Sequence, residues 1–138
     1  MKLYKVILFS IVSFLNLSFY SKGQTSAKIE LIEKALKNEK VKEYFLIDSP
    51  NYDSIFLIDS NRYFSNGFNF SNKKVICLIN DPYNKSSLNN YIYLSQLYLE
   101  KRKGRLILFQ KESGVLITLY YKRNKTLFDI IDVKLAFF

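Results

Sequence analysis

Apolar positions recur with a helical period in the first part of this chain and with strand-like patterning in the rest. Between Ala27 and about Phe45, Ile29, Ile32 and Leu36 fall at helical spacing, and Val41, Tyr44 and Phe45 extend the same apolar side. That pattern predicts an amphipathic helix. Thr25 and Ser26 offer N-cap hydroxyls just ahead of it, and Glu30 with Lys34 and Glu33 with Lys37 form favourable pairs four residues apart. The stripe loses phase at Asn38, which marks a break or kink.

Asp48 to Ser54 is rich in turn formers, Ile55 to Ile58 is a short apolar run, and Ser60 to Asn72 is rich in Ser, Asn and Phe. These read as a turn, a short strand and a loop. Lys73 to Asn80 reads as a buried strand closed by a turn at Asp81-Pro82. Four extended segments follow: Tyr91 to Glu100, Arg105 to Lys111, Val115 to Tyr121 and Thr126 to Phe137. The breaks between them are Lys101-Arg102-Lys103-Gly104, Glu112-Ser113-Gly114 and Lys122-Arg123-Asn124-Lys125, short enough for an antiparallel meander. The first segment has an alternative, a helix capped by Ser87 and ended by Lys101 to Gly104; alternation of Tyr and Ile with polar partners favours strand.

In such a meander the first and third breaks lie at one end of the sheet. Lys101, Arg102, Lys103 and Arg105 then meet Lys122, Arg123 and Lys125, with Glu100 as the nearby acid. A rim of this kind suits phosphate, sulfate or carboxylate groups on an extended anion, or is a solvated set of turns whose charge discourages edge pairing. The strands are apolar on both faces, as in Leu106-Ile107-Leu108-Phe109 and Val115-Leu116-Ile117. One face packs the helix; the other needs cover from the Ser60 to Asn72 loop, a second subunit or a ligand. Tyr91, Tyr93, Tyr98, Tyr120 and Tyr121 suit an interface, so a homodimer through the sheet face is one expectation and cover by the protein's own loops the other.

Helix, irregular stretch, short strand and long C-terminal meander, with turns such as Lys103-Gly104 and Lys125-Thr126, together resemble the cystatin-like and nuclear-transport-factor-2-like α+β domains of small exported bacterial proteins. The resemblance implies an α+β fold in which an N-terminal helix packs on a curved antiparallel sheet. It implies no function, because that fold serves enzymes and binding modules alike. Enzymes of that superfamily place a carboxylate or histidine inside a cone-shaped pocket, and no residue here matches one. Nor can the N-terminal glycine and hairpin loop of the inhibitory cystatins be identified.

Composition narrows the chemistry. The chain has no histidine and no tryptophan, which excludes Ser/His/Asp and Cys/His nucleophile pairs and His-ligated zinc. No cofactor or metal is expected. Asp48, Asp53 and Asp59 are close enough in sequence to suggest calcium, but their spacing matches no calcium loop, and turn formation explains them better. Asp129 and Asp132 fall on opposite faces of a regular last strand, placing one of them beside the helix as a possible general acid or base. The lone Cys77 lies in the run Val75 to Ile79 and reads as a buried, inert thiol.

The N-terminus reads as a bacterial-type export signal. Lys2 and Lys5 precede an apolar run from Val6 to Phe19, interrupted by Ser10, Ser13, Asn16 and Ser18. It is short and polar for a bilayer span, which takes about 20 apolar residues. Ser21 and Gly23 sit two apart ahead of a cut that leaves Gln24 first, giving a signal over 1–23 and one α+β domain over 24–138. The alternative is an uncleaved segment acting as an anchor. Removal takes three lysines, so Lys+Arg falls from 21 to 18 against 12 acids, a charge of +6. The resulting expectation is an exported, periplasmic or secreted binding module for an envelope or extracellular partner, with nucleic acid not the expected one. The rivals are a small carboxylate-dependent hydrolase or isomerase and an anion-binding envelope protein. N-terminal sequencing of the exported protein should begin at Gln24; an intact Met1 end recovered in the membrane fraction would overturn the cleavage.

Overall fold

An asparagine that caps better than it propagates splits the N-terminal apolar stripe into two helices. The computed structural model describes residues 26–86 and 89–138, so the signal segment and Thr25 lie outside the described residues. Helix α1 covers 26–37 and includes Ser26. Asn38 then adopts an extended conformation (φ −69°, ψ 133°) and its side chain accepts the Lys40 N–H at 3.1 Å, capping α2, Glu39–Phe45. The two helices meet where the phase of the stripe is lost. Leu31, Ile32, Ala35 and Leu36 of α1 and Val41 and Phe45 of α2 are buried. Among the described residues, no helix is long and apolar enough to cross a membrane.

Seven strands form one mixed sheet curled into a half-barrel. They are β1 Ser54–Ile58, β2 Phe68–Phe70, β3 Lys73–Leu78, β4 Asn89–Leu99, β5 Lys103–Gln110, β6 Val115–Asn124 and β7 Leu127–Phe137, in spatial order β2-β3-β1-β4-β5-β6-β7. The fold is α+β, and the four-stranded C-terminal meander is present with the segment before Lys101 as strand. The rest of the sheet departs from expectation. Instead of an antiparallel sheet throughout, β1 lies between β3 and β4 and is parallel to both. Continuous apolar runs over Ile55–Ile58 and Val75–Leu78 fit this, since parallel strands are covered on both faces. The Ser60 to Asn72 stretch is also more than a loop: β2 pairs antiparallel with β3 through Phe68↔Val75 and Phe70↔Lys73, turning at Ser71 with φ 54°.

Alternation decides which side chains face the helices. From β5 come Leu106 and Leu108, from β6 Val115, Ile117, Leu119 and Tyr121, and from β4 Ile92, Leu94 and Leu97. The same core takes Phe64 and Phe70 from the 60–72 stretch, which therefore closes the helix side of the sheet rather than the opposite face. Gly104 lets α1 approach β5: a Cβ there would sit 3.2 Å from Leu31 Cδ1 and 3.3 Å from the Tyr98 carbonyl oxygen. The Tyr121 hydroxyl, 1 % exposed as a residue, donates to the Leu31 carbonyl at 2.8 Å and ties α1 to β6. Burial pushes that hydroxyl's pKa well above the ordinary tyrosine value.

Two bulges set the phase of the outer strands. Leu94 pairs with Leu108 and Gln96 with Ile107, leaving Ser95 as the extra residue in β4. Tyr120 pairs with Asp132 and Tyr121 with Ile130, leaving Ile131 as the extra residue in β7. Denaturant unfolding should show Tyr121→Phe less stable by about 1 kcal/mol for its buried hydrogen bond, and Leu31→Ala by about 2–5 kcal/mol for the void at the helix contact. The reverse order would mean that α1 is not seated on β5 as described.

Candidate functional site on the convex face

Side chains that alternate away from the core line up in rows across the meander. One row is Tyr93-Phe109-Leu116-Ala136, the next Gln96-Ile107-Thr118-Lys134, and the next Tyr98-Arg105-Tyr120-Asp132. On the other side the first row continues through Ile58 to Leu78, and Phe56 lies beside Tyr91. The convex face is therefore apolar toward β1 and β3 and polar toward the β4–β5 turn.

Its apolar half is covered by the chain itself, through the segment that leaves β3. Phe56 stacks on Tyr91 with centroids 5.2 Å apart and Tyr93 on Phe109 at 4.7 Å. Tyr91 and Tyr93 are only 7 % and 6 % exposed. The Tyr93 hydroxyl donates to Asp81 at 2.8 Å and accepts from Lys85 at 2.5 Å, while the Ser86 N–H donates to the Tyr91 hydroxyl at 3.0 Å. Lys111 reaches Asp81 at 2.8 Å and Lys85 reaches Glu112 at 3.2 Å. Residues 79–86 thus form a strap over the aromatic row. The Lys111 hydrogen bond, followed by those from Tyr93 and Lys85, lowers the Asp81 pKa to about 2 against the cost of its partial burial. Burial works against the charge of Lys85, but its bonds to Tyr93, Glu112 and Asp81 outweigh it and raise its pKa. Sequence reading missed the strap; its one local signal was a continuous apolar strand followed by Asp81 and Lys85.

At the other half the two basic turns come together. Lys103 pairs with Lys122, the Arg123 N–H donates to the Arg102 carbonyl at 2.8 Å, and the Arg123 guanidinium donates to the Lys101 carbonyl at 3.4 Å. Lys101, Arg102, Lys103, Arg105, Lys122, Arg123 and Lys125 therefore share one end of the molecule. Glu100 sits among them, bonded to the Tyr98 hydroxyl and 3.5 Å from Lys103. That hydroxyl holds the Glu100 pKa below the usual carboxylate value. Tyr98, Lys103, Gly104, Arg105, Tyr120, Tyr121 and Ile131 line a concavity of about 430 Å³ beside the turns. The tyrosines expected on one interface divide accordingly: Tyr98 (42 % exposed) and Tyr120 belong to this open region, Tyr91 and Tyr93 lie under the strap, and Tyr121 faces the core.

A second cleft, of about 750 Å³, opens at the opposite end between α2, the strap and the β5–β6 turn. Buried Gln110 and Asn90 lie in its wall, where Gln110 donates to the Asn90 carboxamide at 2.7 Å and Asn90 donates to the Phe45 carbonyl at the end of α2. That chain of amides fastens α2 to the sheet.

The remaining candidates sit where chemistry is not assembled. The Ile131 bulge shifts the phase of β7, so Asp129, paired with Lys122, and Asp132, paired with Tyr120, both fall on the convex side. Asp129 does lie beside α1, 3.3 Å from Lys34, but neither acid points inward: their side chains are 57 % and 53 % exposed, and Asp132 is 4.0 Å from Lys134. Asp48 pairs with Lys42 at 3.2 Å, and Asp59 is buried, accepting the Phe64 N–H at 2.8 Å. The carbonyls of Ser49 and Tyr52 are taken by Lys73. Cys77 is half-buried, and burial, aided by the Asp59 charge, raises its pKa to about 11.

Comparison with protein families, curated proteins and solved structures yields no match. Function must therefore be argued from the surface just described. Because the Asp81 pKa lies below its ordinary 3.8, the ties it makes from the strap to Tyr93 and Lys111 stabilise the fold above that pH and are lost as the pH falls toward about 2. Thermal unfolding followed from pH 5 to pH 2 should show a loss of stability in that window, and a smaller loss in Asp81→Asn. Equal losses in both proteins would show that Asp81 does not hold the strap.

Proposed function

We propose that this protein is an exported binding module rather than a catalyst, and that its basic end recognises an anionic envelope or extracellular partner. The observation that carries this reading is the juxtaposition of the β4–β5 and β6–β7 turns, which gathers cations from distant parts of the sequence at the rim of an open concavity. Fields from such a cluster add, and a chain-like anion can touch several of its members at once. Exposed, ion-paired Asp129 and Asp132 support binding over the carboxylate-dependent enzyme, which would need one of them in a pocket between helix and sheet. Helices cradled by a curved sheet support the likeness to cystatin-like and nuclear-transport-factor-2-like domains, while the parallel placement of β1 departs from it. A homodimer through the sheet would draw on the same exposed patch around Tyr98, Tyr120 and Ile131 and compete with the ligand for it.

Charge reversal at Arg102, Lys122 and Arg123 should lower the salt concentration at which the protein leaves a heparin or polyphosphate column. The same number of reversals at Lys28, Lys37 and Lys40 on the helices should lower it much less. Equal shifts in the two variants would reduce the rim to general charge and remove the proposal.

A further inference from the structure

Within the basic end one cation differs from the others. The turn lysines and arginines project into water, whereas Arg105 rises from within a strand, as the third residue of β5, with Tyr98 its register neighbour on β4 and Tyr120 on β6. It faces outward because its neighbour Gly104 faces α1. Tyr98 shares its face only because the Ser95 bulge restores the phase of β4. A guanidinium carries five N–H donors in a fixed fork and is always charged. Among the described residues a single acceptor meets it, the Gln96 carboxamide at 2.7 Å, and its buried Nε has no partner. Among the described residues no carboxylate lies within ion-pair distance of Arg105: Glu100 is engaged by Tyr98 and Lys103, and Asp132, at the far end of the row, is nearest to Lys134. A partly desolvated cation without a counter-ion, set in a concavity of about 430 Å³ between aromatic walls, is a receptor for a complementary charge.

We infer that Arg105 anchors a discrete pocket for one oxyanion, a sulfate, phosphate or carboxylate group carried on a sugar-sized molecule. The anion accepts from the free N–H groups of Arg105 and from Lys103, and the ring of its carrier lies against Tyr98 and Tyr120. Ile131, 62 % exposed at the bulge of β7, supplies an apolar edge to the same concavity. This rests on the anion-binding reading above and sharpens it: the turns attract a charged chain, and Arg105 grips one charged unit of it.

The test is calorimetric titration of the mature protein with glucose 6-sulfate, glucose 6-phosphate, glucuronate and glucose. The charged sugars should bind, and their ranking identifies the oxyanion; glucose should not. Arg105→Gln should weaken the preferred probe at least about tenfold, the scale of a lost charge-assisted hydrogen bond, and Arg105→Lys should recover part of it. Tyr98→Ala, at an exposed ring, should weaken it without lowering the melting temperature, which guards against misfolding of the Arg105 variants. Reversal of Arg102, Lys122 and Arg123 should change this small-probe affinity far less than it changes heparin retention. If glucose binds as well as its charged forms, or if Arg105→Gln and Tyr98→Ala leave affinity unchanged, the pocket inference falls while the rim stands on its heparin result. If heparin retention is also insensitive to the turn reversals, both readings fall.

Discussion

A sheet with one wholly apolar face and an apolar half on the other must keep both from water, and the architecture follows from that constraint. Burial of apolar surface contributes about 25 cal/mol per Å², so each face is worth covering with whatever part of the chain can reach it. On the concave side the helices do this, with Leu31, Ile32 and Leu36 of α1 against the β5 and β6 side chains and Phe64 and Phe70 closing the gap beyond. On the convex side only the half nearest β1 and β3 is closed, by a strap whose polar groups are spent on Tyr91, Tyr93, Lys111 and Glu112. The remainder, which the strap does not cover, is where the open concavity lies.

Bulges then decide what that remainder displays. A strand alternates strictly, so Tyr93 and Tyr98, five positions apart, would face opposite ways in a regular β4. The extra residue Ser95 returns Tyr98 to the convex face, and the extra residue Ile131 brings Asp132 to the end of the same row. The Tyr98-Arg105-Tyr120 row is thus built by an irregularity as much as by the pattern. Insertions of this kind re-aim side chains and are common beside functional surfaces.

What could be read from the sequence was whatever local chemistry encodes. The helical period gave the buried side of α1, Asn38 marked the junction with α2, and the short basic and Gly-containing breaks gave the meander and the shared end of its two basic turns. The parallel insertion of β1 has no such signature, because its partners are chosen by burial between elements distant in sequence. Both bulges escaped for a related reason: Ser95 and Ile131 look like ordinary strand residues, and only their partners across the ladder reveal them as extra. Tyr121 is different, since adjacent strand residues point to opposite faces and Tyr120 and Tyr121 could never both have joined one interface.

The same reasoning separates the two kinds of positive charge at the basic end. Cations in turns cost little there, since they remain hydrated and splay away from one another; their value to a stable fold is small and their spacing is loose. Arg105 rises from a strand, between Tyr98 and Tyr120 in its row and beside the row of Gln96, Ile107 and Thr118, and loses hydration on its Nε side. An apolar residue at that position would continue the row through Ile107 and Phe109 without desolvating a charge. Fold stability gives no reason for an arginine there beyond its one bond to Gln96, and a bound counter-charge supplies the compensation that the protein's own carboxylates, held by Lys103 and Lys134, do not.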